Sequence, residues 1–489
     1  MKHARVFSRL GAGRVFPAAA LVFGVAMSWA TPVEAQYFNR NKVQYDDFEF
    51  QVLSTDHFDI HFYQEEADAI ADVARMSERW YERLARTFQH DFEAPKPLII
   101  YADHPDFQQT NTLSGSISEG TGGVTESLKN RVIMPLTGSY GDTDHVLGHE
   151  LVHAFQYNIA QSRRGGGLQG LGTLPLWLVE GMAEYLSVGR DNPLTAMWLR
   201  DAVYRDDFPT IENMTKESRF FPYRFGQALW AYIGGEYGDD AVIEVFRRSL
   251  RGGFQPALVQ VLGESPDTVS AKWRRRVEQA YIPLMSNRTA PDSVGRVLLS
   301  EELGSGDVNV SPSLSPDGRY IAYISNDDLF SYDIFIADTQ TGKVVRKLVS
   351  ADSDPHADAI RFVEAAGTWS PDGEYFAYPV FAGGDNEIVI VQTRDGDVWK
   401  RIKPPGLGAL NNPSWSPDGR YLAFTGFEGG ISDLYLWDLE DEALVRLTDD
   451  RYADFQPTWS PDGSTIAFSS DRGPETDFEN LAYSDFQLA

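Results

Sequence analysis

One tetrapeptide recurs four times in the second half of this chain: Ser315-Pro316-Asp317-Gly318, Ser370-Pro371-Asp372-Gly373, Ser416-Pro417-Asp418-Gly419 and Ser460-Pro461-Asp462-Gly463. The offsets are 55, 46 and 44 residues. Pro-Asp-Gly favours a tight turn: proline presets φ, the aspartate bonds nearby backbone, and glycine accepts a left-handed conformation. A strand-like run follows each copy: RYIAYIS, EYFAYPV, RYLAFTG and STIAFSS. After the first three copies a second such run appears: DIFIADT, EIVIVQT and DLYLWDL. Trp369, Trp415 and Trp459 stand just before the last three copies. A period of about 45 residues with several short strands per unit predicts a β-propeller. The repeat aspartates are read as turn-forming, with calcium binding a minor alternative. About four blades are expected. Because an open ring leaves strand edges unpaired, the propeller is expected to be incomplete and the chain part of a longer protein.

The first half has a different texture, so the fold class is multidomain. The boundaries expected are 1–35 for an export signal, 36–285 for an α+β domain, 286–295 for a polar linker and 296–489 for the repeats. Within the α+β domain, Asp144 to Tyr157 reads DHVLGHELVHAFQY and contains His149-Glu150-Leu151-Val152-His153. Residues four apart share one face of a helix, so both imidazoles can reach one metal ion. Glu150 lies one residue past the first histidine and can touch a water there without being a ligand. Thr143 and Asp144 are the expected N-caps of this helix. An accidental match on a core helix is the bland alternative. His145 also falls on this helix and is read as a neighbour of the site.

A metzincin would need Gly at 156 and His at 159, but Gln156 and Ile159 stand there. A Gly-rich stretch, Gly165 to Gly172, comes next and is expected to be a loop. Beyond it lies Trp177-Leu178-Val179-Glu180-Gly181-Met182-Ala183-Glu184-Tyr185, read as a helix beginning near Pro175. A carboxylate on it would complete a His, His, Glu set with one open position.

Here the chain resembles the gluzincin metallopeptidases. WLVEGMAEY is similar to the W-L-x-E-G-x-A segment that carries their third zinc ligand. The resemblance implies one Zn2+ held by His149, His153 and Glu180, with Glu150 as general base. It implies Glu184 as an acidic residue beside a ligand histidine. Phe221-Pro222-Tyr223-Arg224-Phe225-Gly226 resembles the P-Y-x-x-G helix start of the aminopeptidase group, whose tyrosine donates to the oxyanion; that implies the role for Tyr223. The family often has Lys where Phe225 stands. Gly181 and Ala183 are expected to let the Glu180 helix approach the zinc helix closely. Gly122-Gly123-Val124-Thr125-Glu126 fits the edge strand along which gluzincins bind substrate backbone. Glu126 is left out of the catalytic set. The repeats resemble the TolB-like propeller.

Elsewhere in this half, a strand is expected across Val52 to Tyr63, an amphipathic helix over Glu65 to Phe88, and a short buried strand at Pro97 to Tyr101. His57 and His61 are read as ordinary, partly buried histidines.

Lys2, Arg5, Arg9 and Arg14 precede the mostly apolar Val15 to Ala30, and Val33-Glu34-Ala35 is an acceptable cleavage site. Export to the periplasm or medium is expected, with an N-terminal anchor as the alternative and no membrane span after signal removal. The chain has no Cys, so no disulfide accompanies export. Its net charge is −28; removing the four basic and one acidic residues of 1–35 leaves −28 − 3 = −31. That argues against nucleic-acid binding and against simple adsorption to an anionic membrane. The expected function is an exported zinc peptidase acting on a peptide or protein substrate, with a protein partner or an access-limiting role for the propeller. The alternative is a non-catalytic propeller scaffold with a degenerate peptidase-like domain. A serine peptidase is disfavoured because no G-x-S-x-G elbow is present.

Overall fold

The computed structural model describes residues 44–489 apart from 114–116, 119, 163–165, 291–292, 307, 327–331, 351–358 and 361–366. The expected export signal, residues 1–35, lies outside the described residues. Among the described residues no helix is long and apolar enough to cross a membrane.

The first unit is built on one sheet. Its strands are β1 (Gln51–Ser54), β2 (Phe58–Phe62), β3 (Lys96–Tyr101), β4 (Val124–Glu126) and β5 (Arg131–Pro135), in the order β1-β2-β3-β5-β4. β2, β3 and β5 run parallel, while β1 and β4 are antiparallel edges. The single strand expected across Val52 to Tyr63 is a hairpin. The Thr55 N–H donates to the Phe58 carbonyl at 2.8 Å, and Gln51 pairs back onto Phe62. Alternation shows only in β2 because only β2 is half-buried; β1 is exposed throughout.

Between β2 and β3 runs α1 (Ile70–Phe88), which buries Ile70, Val73, Met76, Trp80, Leu84 and Phe88, the three- and four-residue spacing of one helical face. A short α2 (His104–Gln108) follows β3. The central helix is α3 (Tyr140–Gln161). It begins one turn before the expected caps: Ser139 is the N-cap, its Oγ accepting the Asp142 N–H at 3.2 Å. Thr143 is buried inside the helix, and Asp144 instead accepts from Trp80 Nε1 at 2.9 Å and Arg79 at 2.6 Å. The Gly-rich stretch expected to be a loop carries a short helix, α4 (Gly167–Gly172). Then come α5 (Leu176–Val188), capped by Pro175, α6 (Pro193–Tyr204), α7 (Ile211–Lys216) and α8 (Pro222–Tyr237). Three further helices, α9 (Asp239–Gly252), α10 (Phe254–Leu262) and α11 (Pro266–Met285), close a core that includes Trp177, Trp230 and Trp273.

The second unit is a β-propeller region with four blades among the described residues. Each blade is an antiparallel meander: Asn309–Val349, Ala359–Ile402, Ala409–Arg446 and Asp454–Leu488. Successive blades share apolar layers; Ile324 and Ile336 of the first meet Phe376 and Tyr378 of the second, and Ile388 and Ile390 meet Leu422 and Phe424. The repeated tetrapeptide explains the regularity. Ser315 Oγ donates to Asp317 Oδ1 at 2.7 Å, that carboxylate accepts the Arg319 N–H at 3.0 Å, and Tyr320 N–H donates to Ser315 Oγ at 2.9 Å. The other three copies repeat this pattern. The aspartates are thus engaged inside their own turns. Trp369 and Trp459 donate to carbonyls of the preceding blade, Ser313 and Ser414, at 3.0 and 3.1 Å.

The units touch at the start of α3. The Ser432 N–H and Oγ both donate to the Gly138 carbonyl, at 2.9 and 2.8 Å. Residues 471–484, charged and irregular in sequence, fold back over α1 and α3. Leu481 is buried in the first unit's core, and Arg79 bridges the Leu481 carbonyl and Asp144 at 2.6 Å each.

Candidate metal centre

α3 is buried on nearly every face, and its middle turn presents His149 and His153 toward α5. Their Nε2 atoms lie 3.1 Å apart. Glu180 Oε2 of α5 lies 3.1 Å from His153 Nε2 and 3.4 Å from His149 Nε2. Among the described residues this is the one group of three or more His, Cys, Asp or Glu side chains whose ligand atoms converge in this way. The triangle can be tested against a metal. Tetrahedral zinc with ligands at about 2.0–2.1 Å would hold its donors about 3.3 Å apart. Two ring nitrogens and a carboxylate oxygen at these separations fit that ion.

Each ring is oriented from behind. His149 Nδ1 lies 3.2 Å from Glu184 Oε1, one helical turn past Glu180. His153 Nδ1 lies 2.9 Å from Gln156 Oε1. The Gln156 amide nitrogen donates to the Val179 carbonyl at 3.1 Å, which fixes the amide oxygen toward the ring. Both Nδ1 atoms therefore face acceptors, which directs both Nε2 atoms toward the centre. Arg224 donates to the other Glu184 oxygen at 3.1 Å.

The electrostatics follow from burial and charge. Burial alone would depress both imidazoles, but Glu180 and Glu184 outweigh it at His149 and push it up to about 10; Glu180 raises His153 likewise. Burial works against the Glu180 charge, yet His153 and His149 hold it well below the ordinary carboxylate range. His145 sits 3.6 Å from Glu184, and its burial pushes it down to about 4; it stays outside the converging set.

Glu150 is buried beside this group. Thr125 Oγ1 of β4 lies 2.7 Å from its Oε2. Tyr223, at the start of α8, stacks on His149 with ring centroids 5.8 Å apart. Burial, then the Glu180 charge and hydrogen bond, hold its phenol well above the ordinary range, so the hydroxyl keeps its proton. From Tyr223 the rings of Phe221 and Trp198 continue outward at 5.1 and 5.5 Å, both partly exposed.

The structure thus brings His149, Glu150, His153, Glu180, Glu184 and Tyr223 together. It leaves His57 elsewhere, paired with Glu78 at 2.6 Å, and Glu126 is paired with Arg131. The role expected of Gly181 is corrected. A Cβ there would lie 2.4 Å from Gly226 Cα, so Gly181 serves the crossing of α5 with α8, not with α3. Sequence reasoning missed Thr125, Gln156 and Arg224. Gln156 was findable, three residues past His153 on the same helix face. A cleft of about 1850 Å³ lies between the two units, lined by Asp46, Tyr63, Asp103, Lys403 and Arg451 among others, and none of the six site residues is on its wall.

Residues 360–485 match the family described as the TolB beta propeller domain. The C-terminal region is a TolB-like β-propeller domain. No curated protein matches the chain. Among solved structures, TolB from Acinetobacter baumannii is 21% identical with a TM-score of 0.31, over 45% of this chain and 56% of that one. A protein assigned as TolB from Agrobacterium tumefaciens is 23% identical with a TM-score of 0.30, over 35% of this chain and 58% of its own. This chain therefore spans less than two thirds of the length of the structures it matches. The family match lies wholly C-terminal to the His/Glu cluster.

Proposed function

We propose that the first unit is a gluzincin-type zinc peptidase and that the protein is exported. The observation that carries this reading is the triangle of His149 Nε2, His153 Nε2 and Glu180 Oε2, with sides of 3.1, 3.1 and 3.4 Å and Glu150 one residue along the same helix. In this reading these three residues hold one Zn2+. When bound, zinc would supply Lewis acidity that makes a water nucleophilic near neutral pH.

The chain's own groups do the rest. Glu150 accepts the proton released as water attacks the peptide carbonyl, then delivers it to the departing amine. Tyr223 O–H donates to the oxygen that gains negative charge. The outer edge of β4 takes the substrate backbone as an added strand. Phe221 and Trp198, partly exposed beyond Tyr223, would suit a bulky apolar substrate side chain. The propeller would bind a protein partner or restrict access.

The test is metal analysis of the purified protein followed by an unbiased peptide-library digest. One zinc per chain and cleavage beside bulky apolar residues are expected, with Glu150→Gln keeping zinc and losing hydrolysis. A zinc-loaded wild type that cuts nothing would favour the scaffold reading. Export is tested by N-terminal sequencing, which should begin at Gln36.

A further inference from the structure

We propose that Thr125 is the positioning residue for Glu150. The inference rests on the peptidase reading for its catalytic consequence, but its geometry stands apart from it. β4 is an edge strand, and alternation along it buries Thr125 while Val124 and Glu126 are less enclosed. The buried hydroxyl meets one residue twice: Thr125 Oγ1 is 2.7 Å from Glu150 Oε2 and 2.9 Å from the Glu150 carbonyl. A threonine hydroxyl has one proton to donate. Both acceptors belong to Glu150, so the contact ties the carboxylate to the backbone of its own helix turn. Free rotation of a glutamate about its three side-chain torsions is thereby reduced to one buried arrangement.

Gly123 completes the seat. A Cβ at this position would lie 2.9 Å from Glu150 Cγ and 3.2 Å from its Oε1. The strand therefore approaches the glutamate with bare backbone on one side and a hydroxyl on the other. With Oε2 held by Thr125, Oε1 is the oxygen presented for proton uptake. The same three-residue strand would pair with the substrate backbone. A peptide docked on β4 and a base tied to β4 share one frame, so the base stays in register with the bond to be cut.

Such positioning matters because a displacement of about 1 Å can cost on the order of 100-fold in rate. The full-length, zinc-loaded protein is compared as wild type, Thr125→Val and Thr125→Ser. Valine keeps the shape and removes the donor; serine keeps the donor. Thr125→Val should lose about 10- to 100-fold in kcat with KM within about twofold, and Thr125→Ser should recover most of it. Equal kcat in the valine variant, or an equal loss in the serine variant, would overturn the proposal. Crystal structures of the three proteins give a readout independent of turnover. The Glu150 carboxylate should leave its position in Thr125→Val and hold it in Thr125→Ser. An unmoved carboxylate in the valine variant would overturn the positioning role even if the wild type proved inactive, an outcome that would separately overturn the peptidase reading.

Discussion

Gln156 Oε1 accepts from His153 Nδ1 at 2.9 Å, and the amide cannot turn because its nitrogen is committed to the Val179 carbonyl. The histidine is thus held by an amide where many metal sites use a carboxylate. Gln156→Leu keeps the volume and removes the acceptor. Zinc affinity should fall by about 10- to 100-fold, the usual range for a lost partner behind a ligand. Competition with a chromogenic chelator measures it.

Glu180 and Glu184 lie one turn apart on α5 yet meet different atoms. Glu180 faces both Nε2 atoms, whereas Glu184 faces His149 Nδ1. Glu180→Ala should therefore lose zinc on dialysis. Glu184→Ala should retain it more weakly, by about 10- to 100-fold. The reverse order in zinc titrations would move the ligand assignment by one helical turn.

Tyr223 stacks on His149 and keeps its proton. Tyr223→Phe removes one donor and little volume. Turnover should fall by about 100- to 1000-fold with zinc content unchanged. Steady-state kinetics beside metal analysis would decide it.

Glu66 is fully enclosed, and burial pushes its carboxyl from the ordinary 4.5 up to about 8. Its Oε1 accepts the Tyr63 N–H at 2.8 Å. The folded protein keeps this proton after the unfolded chain has released it. This group therefore favours folding below about pH 4.5 and loses that contribution progressively as pH rises through about 8. Glu66→Gln cannot ionise. The melting temperature of the variant relative to wild type should rise across that window and stay level below it, as read by a pH series of thermal melts.

The legible parts of this molecule are those set by local period. His149 and His153 could be paired because one helix carries both, and the propeller could be inferred because each turn uses the same three side-chain bonds. Glu180 and Tyr223 were reached through resemblance and now lie beside the histidines. Thr125 was not legible: its contact joins an edge strand to a helix 25 residues away, and neither composition nor period fixes that register. The hairpin at Ser54 to Phe58 was hidden because β1 is exposed on both faces and shows no alternation. The packing of residues 471–484 on the first unit was not legible because few of their side chains are buried, Asp471 and Leu481 among them. The helix start moved from Thr143 to Ser139 because two competing caps stood within one turn of each other.

The crossing of α5 and α8 has a consequence for anyone screening variants. Gly181 and Gly226 bring the two backbones together with no side chain between them; a Cβ at Gly226 would lie 2.4 Å from the Trp177 carbonyl. One helix carries Glu180, the other Tyr223. A single methyl group at the crossing would act as a wedge, and each helix would serve as a lever that swings its functional side chain away from the other. Under the peptidase reading, such a substitution would score as an active-site lesion although it alters none of the proposed ligand or catalytic side chains.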